Sequence, residues 1–100
     1  MICTLTARRL KPGAYEDFRA AWGDDLNEKP ELADRWHPVY MTRDVTDPNV
    51  VVALGFFNGS LAELRRAQRE FGYGEAVQRM SGFVDEVLFD GAYEVLEELR

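Results

Sequence analysis

His37 is the only histidine in the chain. Its imidazole is the one side chain whose ordinary pKa lies close to neutrality, so it is the first candidate for moving a proton at pH 7. It stands in the segment Trp36-His37-Pro38-Val39-Tyr40. Aromatic rings with a polar tip supply apolar area together with a hydrogen bond, which suits a planar phenolic ligand. His37 is therefore the candidate proton acceptor, and Trp36 and Tyr40 are the candidate ligand contacts. Alternation along a strand places Trp36 and Tyr40 on one face and His37 on the other with Val39, Met41 and Arg43. All three can line one wall only if the chain bulges near Pro38.

Other chemistries find less support. One histidine has no Ser or Cys partner at a recognisable spacing, and Cys3 has no evident basic neighbour to lower its pKa, which argues against covalent catalysis. His37 with Asp34 or Asp44 lacks the clustered ligands of a metal site, and there is no cysteine pair. Gly55, Gly59, Gly72 and Gly74 match no nucleotide-binding fingerprint. The pairs Asp24-Asp25, Asp85-Glu86 and Glu97-Glu98 are neighbours in sequence, so their side chains diverge and read as solvated charges. No metal and no cofactor are expected, and the purified protein should be colourless.

The elements that position these residues can be read from pattern. Ile2 to Arg8 is a short strand, ended by Lys11-Pro12-Gly13. Apolar residues at 14, 15, 18, 21 and 22 mark one face of a helix that stops at Gly23. By that spacing Tyr15 and Trp22 read as core, with a place in a pocket as the alternative. Asp24 to Asp34 is a polar connection with room for a helical turn, or a lid over a pocket. Trp36 to Asp44 is a strand, irregular or at an edge because of Pro38, and Asp47-Pro48-Asn49 turns the chain. Val50 to Phe57 is apolar at nearly every position, as in a strand covered on both faces. Ser60 and Glu63 have the spacing of a capping box, which starts a helix. Leu61, Leu64, Ala67 and Phe71 line it until Gly72. Positions 76, 77, 80, 83, 84, 87 and 88 keep helical spacing from Glu75 onward, so the second helix is long and broken. Asp90-Gly91 is read as a turn and Ala92 to Leu96 as the last strand; the rival parse has a strand at Phe83 to Phe89 and a C-terminal helix. Tyr73, between two glycines, either gates a cavity or closes a loop.

The order β-α-β-β-α-β is the ferredoxin-like, split βαβ arrangement. It gives an α+β domain with a four-stranded antiparallel sheet and helices on one face. All 100 residues suit one domain. The helices leave one sheet face bare, yet Val50, Val52, Leu54 and Phe56 alternate with Val51, Ala53 and Phe57, which are also apolar. Wetting such side chains forfeits about 1.5–3 kcal/mol each. A symmetric homodimer through the sheet removes that cost.

Eighteen acidic against twelve basic side chains give a net charge of −6, which repels phosphate backbones and anionic lipids, so neither nucleic acid nor membrane is an expected partner. Arg65, Arg66 and Arg69 read as a solvated helix face. A single cysteine excludes an internal disulfide and fits a reducing cytoplasm. No signal peptide is expected before Arg8-Arg9, and no apolar run approaches the ~20 residues of a membrane span.

The opening strand with its KPG turn at 11–13, FFNGSLAEL at 56–64 and DGAYEVLEEL at 90–99 resemble the dimeric α/β barrel superfamily, and within it the antibiotic-biosynthesis-monooxygenase-like (ABM-like) domains. The resemblance spans nearly the whole chain. It implies a barrel formed by the sheets of a dimer, with a small-molecule cavity between sheet and helices in each subunit. It also implies a cofactor-independent monooxygenase acting on an aromatic or polyketide-like compound. The alternative is a non-catalytic ligand-binding or dimerisation module. Two departures stand out: Phe56 and Phe57 occupy the strand end where the enzymes often have tryptophan, and Gln68 lies where a helix histidine is sought. The first strand offers Thr4 and Thr6 in place of asparagine partners.

Overall fold

The apolar run Val50–Phe57 forms the strand around which the sheet is organised. In the computed structural model, which describes residues 1–100, the elements run β1 (Ile2–Leu10), α1 (Tyr15–Trp22), α2 (Pro30–Arg35), β2 (Trp36–Arg43), β3 (Val50–Phe57), α3 (Leu61–Glu70), α4 (Tyr73–Met80), a 3-10 turn (Ser81–Phe83) and β4 (Val84–Glu94). The strand order is β2-β3-β1-β4, with every neighbouring pair antiparallel. This is the expected ferredoxin-like α+β fold. No helix is long and apolar enough to cross a membrane.

Two clusters hold the helices to one face of the sheet. At one end Ile2, Trp36, Phe57, Leu64 and Ala67 pack together, and at the other Leu10, Phe18, Val51, Ala76 and Met80. The opposite face is bare. The register places Cys3, Leu5 and Ala7 of β1 beside Phe56, Leu54 and Val52 of β3, with Tyr93 and Phe89 of β4 flanking them. The rings of Phe89 and Tyr93 lie parallel, 5.8 Å apart, and both are nearly half exposed.

The end of the chain differs from the expected parse. The helix expected through Leu88 stops at Met80; Gly82 sits in the 3-10 turn, Asp90-Gly91 lies inside a strand, and residues 95–100 form no helix. The cause is two register shifts between β1 and β4. On the helix side of the sheet, Leu10, Arg8, Thr6 and Thr4 face Val84, Val87, Asp90 and Ala92. Those β4 positions are three, three and two residues apart, so a doubly bulged strand imitates helical spacing.

The start of α3 follows its sequence signature. Ser60 Oγ accepts from the Glu63 amide at 3.2 Å, and Glu63 Oε1 accepts from the Ser60 amide at 3.0 Å. Arg35 Nη2 donates to Glu63 Oε2 at 2.6 Å, tying α2 to the same corner. The Ser60 amide and the Arg35 guanidinium hold the Glu63 carboxyl down at about 2, against an ordinary 4.5. A depressed carboxylate stabilises the fold fully above its unfolded value, and that contribution fades as pH falls through the folded one. Glu63→Gln should therefore lower the melting temperature at pH 7, and the deficit should shrink as the pH approaches 2. Thermal melts of both proteins across that range check it; a deficit independent of pH would show that the charge plays no part.

Candidate functional site

Between the two core clusters the sheet carries its smallest side chains toward the helices. Thr4 faces Gly55 and Ala92, and Thr6 faces Ala53 and Asp90. Large residues at both ends hold the helices off this low floor, and a cavity of about 320 Å³ remains. Such a volume is within the usual range for small-molecule sites. Trp22 at the end of α1 and residues 23–27 after it form one side, while Gln68 of α3, Phe71 just beyond it, and Tyr73, Ala76 and Met80 of α4 form the roof.

Trp36 is fixed against this floor. Its indole Nε1 donates to Thr4 Oγ1 at 3.2 Å, and its ring meets Phe57 and Phe71 edge-on at 5.5 and 5.4 Å. A Cβ on Gly55 would come within 2.8 Å of that Nε1, so the ring can lie here only above a glycine.

The chain does bulge near Pro38: Trp36 faces Phe57 and Val39 faces Gly55, so His37 and Pro38 together oppose Phe56. The bulge reverses the expected alternation. Trp36, Val39 and Met41 share the cavity face, and Tyr40, opposite Leu54, belongs to the bare face. Trp36 and Tyr40 both border the cavity, Tyr40 from the strand that floors it and half exposed. His37 is exposed on the bulge and does not border it.

A second polar group closes the other end, on residues far apart in sequence. Arg8 is buried, with only 3% of its surface exposed. Its Nη1 donates to Thr6 Oγ1 and its Nη2 to Tyr73 Oη, both at 3.1 Å, and its guanidinium lies 5.8 Å from the centre of the Trp22 ring. The Tyr73 hydroxyl in turn donates to Asp90 Oδ2 at 3.2 Å. Burial pushes the Tyr73 phenol up, while the Arg8 charge opposes the shift and Asp90 adds to it. Raised from 10, the phenol keeps its proton at neutral pH and serves as a donor.

Trp22, expected in the core, packs on the second cluster and borders the cavity as well. Tyr15 packs only on that cluster, with Arg43 5.0 Å from its ring centre. Tyr73, read in the sequence as gating a cavity or closing a loop, borders the cavity, as do Thr4, Thr6 and Gln68, which stand where the resembled enzymes have site residues. Arg8 and Asp90 carried no signal there. No three His, Cys, Asp or Glu side chains converge to hold a metal ion. The arrangement is a chamber that combines aromatic and aliphatic walls with charged side chains, Arg19, Asp24, Asp25 and Arg65 among them, and hydroxyl donors along one edge. It can bind and orient a planar compound and exchange a proton with it through Tyr73 and Asp90.

No family profile matches the sequence, and no characterised protein matches it significantly. Solved structures do. The chain superposes with a TM-score of 0.79 on a putative antibiotic biosynthesis monooxygenase from Deinococcus radiodurans, at 13% identity over 100% of this chain and 97% of that one. A protein of the same designation from Caulobacter crescentus CB15 gives 0.77 at 14% identity, covering 96% and 90% of the two chains. A conserved protein from Methanosarcina mazei gives 0.76 at 14%, covering 92% and 89%. At these identities the likeness establishes a shared ABM-like fold.

Proposed function

We propose that this chain works as a homodimer that binds a planar aromatic compound in the cavity of each subunit and oxygenates it without a cofactor. The cavity between the two core clusters carries the reading, since a fold that only needed to dimerise would gain stability by filling it. The designation of the similar structures points the same way. Trp36 would contact the ring system; the Tyr40 side chain, on the bare face, would not. In oxygenation without a cofactor the substrate itself gives the electrons to molecular oxygen: one oxygen atom stays with the substrate and the other leaves as water with two substrate hydrogens. The protein's share is desolvation, orientation and proton transfer. Tyr73 and Asp90 stand at the cavity wall for the last of these.

The bare sheet face supplies the dimer contact. Val52, Leu54 and Phe56 with Leu5, Phe89 and Tyr93 form a continuous apolar surface whose burial against a second copy would be self-complementary.

Polycyclic quinols and anthrones, offered with isotopically labelled oxygen, test the activity. The expected result is saturable oxygen uptake with one labelled atom retained per product. Saturable binding without uptake would leave the non-catalytic binding module, the reading that an exposed His37 favours. His37→Ala then decides the role of the imidazole: unchanged turnover assigns the proton to the cavity wall, and abolished turnover with an unaltered melting temperature returns it to His37.

A further inference from the structure

Arg8 differs from the chain's ion-paired arginines. Arg9, Arg19, Arg35 and Arg79 each meet a carboxylate within 4.0 Å at the surface. Arg8 is almost wholly buried, yet both of its hydrogen-bond partners are neutral hydroxyls. Buried cations are ordinarily matched by an anion. The cation–aromatic contact with Trp22 offsets only part of that need.

The direction of the bonds is informative. Thr6 Oγ1 and Tyr73 Oη both accept from Arg8, so both are left to donate their own protons. Tyr73 spends its proton on Asp90. Thr6 Oγ1 makes no bond of its own as donor, and Thr6 and Tyr73 both border the cavity. The result is an edge of hydroxyl donors backed by a buried positive charge, in a partly enclosed chamber where electrostatic interactions are stronger than in water. Of the other charged groups that border the chamber, Arg19 is paired with Asp24 and Asp25 with Arg79.

We propose that this Thr6–Tyr73 edge, backed by Arg8, takes the ionised oxygen of a planar aromatic anion; the proposal rests on reading the cavity as a small-molecule site. Arg8 is a positioning residue that acts through the two hydroxyls. The anion would accept from Thr6 and draw the Tyr73 proton away from Asp90, whose carboxylate competes for it.

The test compares naphthoate with naphthamide, an uncharged compound of nearly the same shape, on the full chain. Calorimetry and the fluorescence of Trp22 and Trp36 read the binding. Naphthoate should bind at least about tenfold more tightly. Arg8→Met should bring the ratio of affinities to about one, and Asp90→Asn should raise it. Thr6→Val keeps the side-chain shape and removes the donor, so it should reduce the ratio severalfold even if Arg8→Met fails to fold. Equal binding of the two compounds, or a ratio that Thr6→Val leaves unchanged, overturns the anion edge and leaves the cavity reading standing. If neither compound binds, both fall together.

Discussion

Val52→Glu should convert the proposed sheet-to-sheet dimer to a monomer at micromolar concentration. Val52 is on the bare face of β3, between Ala7 of β1 and Thr42 of β2, and does not border the cavity. In a two-fold interface every substitution is present twice, so two carboxylates would be buried without partners. Burying unpaired charges costs several kcal/mol, enough to raise the dissociation constant by about a hundredfold or more. Light scattering or sedimentation at several concentrations measures it. The wild type should show twice the 11.5 kDa mass of the chain. A wild type that stays monomeric, or a variant that stays dimeric, removes the sheet face from the interface. The melting temperature should fall as association is lost, because the proposed interface would cover apolar surface that a monomer leaves wet.

Trp36→Ala should have the largest effect on a single subunit. The ring is buried against Phe57 and Phe71, and its N–H holds Thr4 in place on the cavity floor. Truncating a buried tryptophan costs about 3–5 kcal/mol, a large share of a typical stability of about 5–15 kcal/mol. Ligand binding should be lost with it, since the same ring walls the cavity. Trp36→Phe separates the two roles: it should recover most of the stability while lacking the indole donor to Thr4. Urea unfolding and ligand titration of both variants measure this. Full stability in the alanine variant would mean that the ring is not part of the core.

Where one hydrophobic period acted alone, the sequence was legible. The helix at 14–22 appears as α1, the uniformly apolar 50–57 as β3, and Ser60 with Glu63 as a closed capping box. Where backbone irregularity reset the period, it was not. The bulges opposite β1 turned β4 into a helix-like pattern, and the bulge at His37 and Pro38 moved Tyr40 to the face opposite Trp36. The cavity was hidden for a different reason. Its floor consists of small side chains on separate strands, and Thr4 beside Gly55 means nothing until the register is known. Arg8 and Tyr73 are 65 residues apart, and no local spacing announces such a pair.

The low floor also makes the chamber easy to lose. Ala53 and Thr6 face each other across one strand pair, as do Gly55 and Thr4. A single larger aliphatic at Ala53 would occupy space now open to a ligand and gain the contacts that an empty chamber forgoes. Selection for robustness alone would therefore drift toward a filled interior in very few steps. A lineage that keeps alanine, threonine and glycine in these places would be resisting that drift, and descendants that had abandoned the ligand would be recognisable by a bulkier floor beneath an unchanged outer shape.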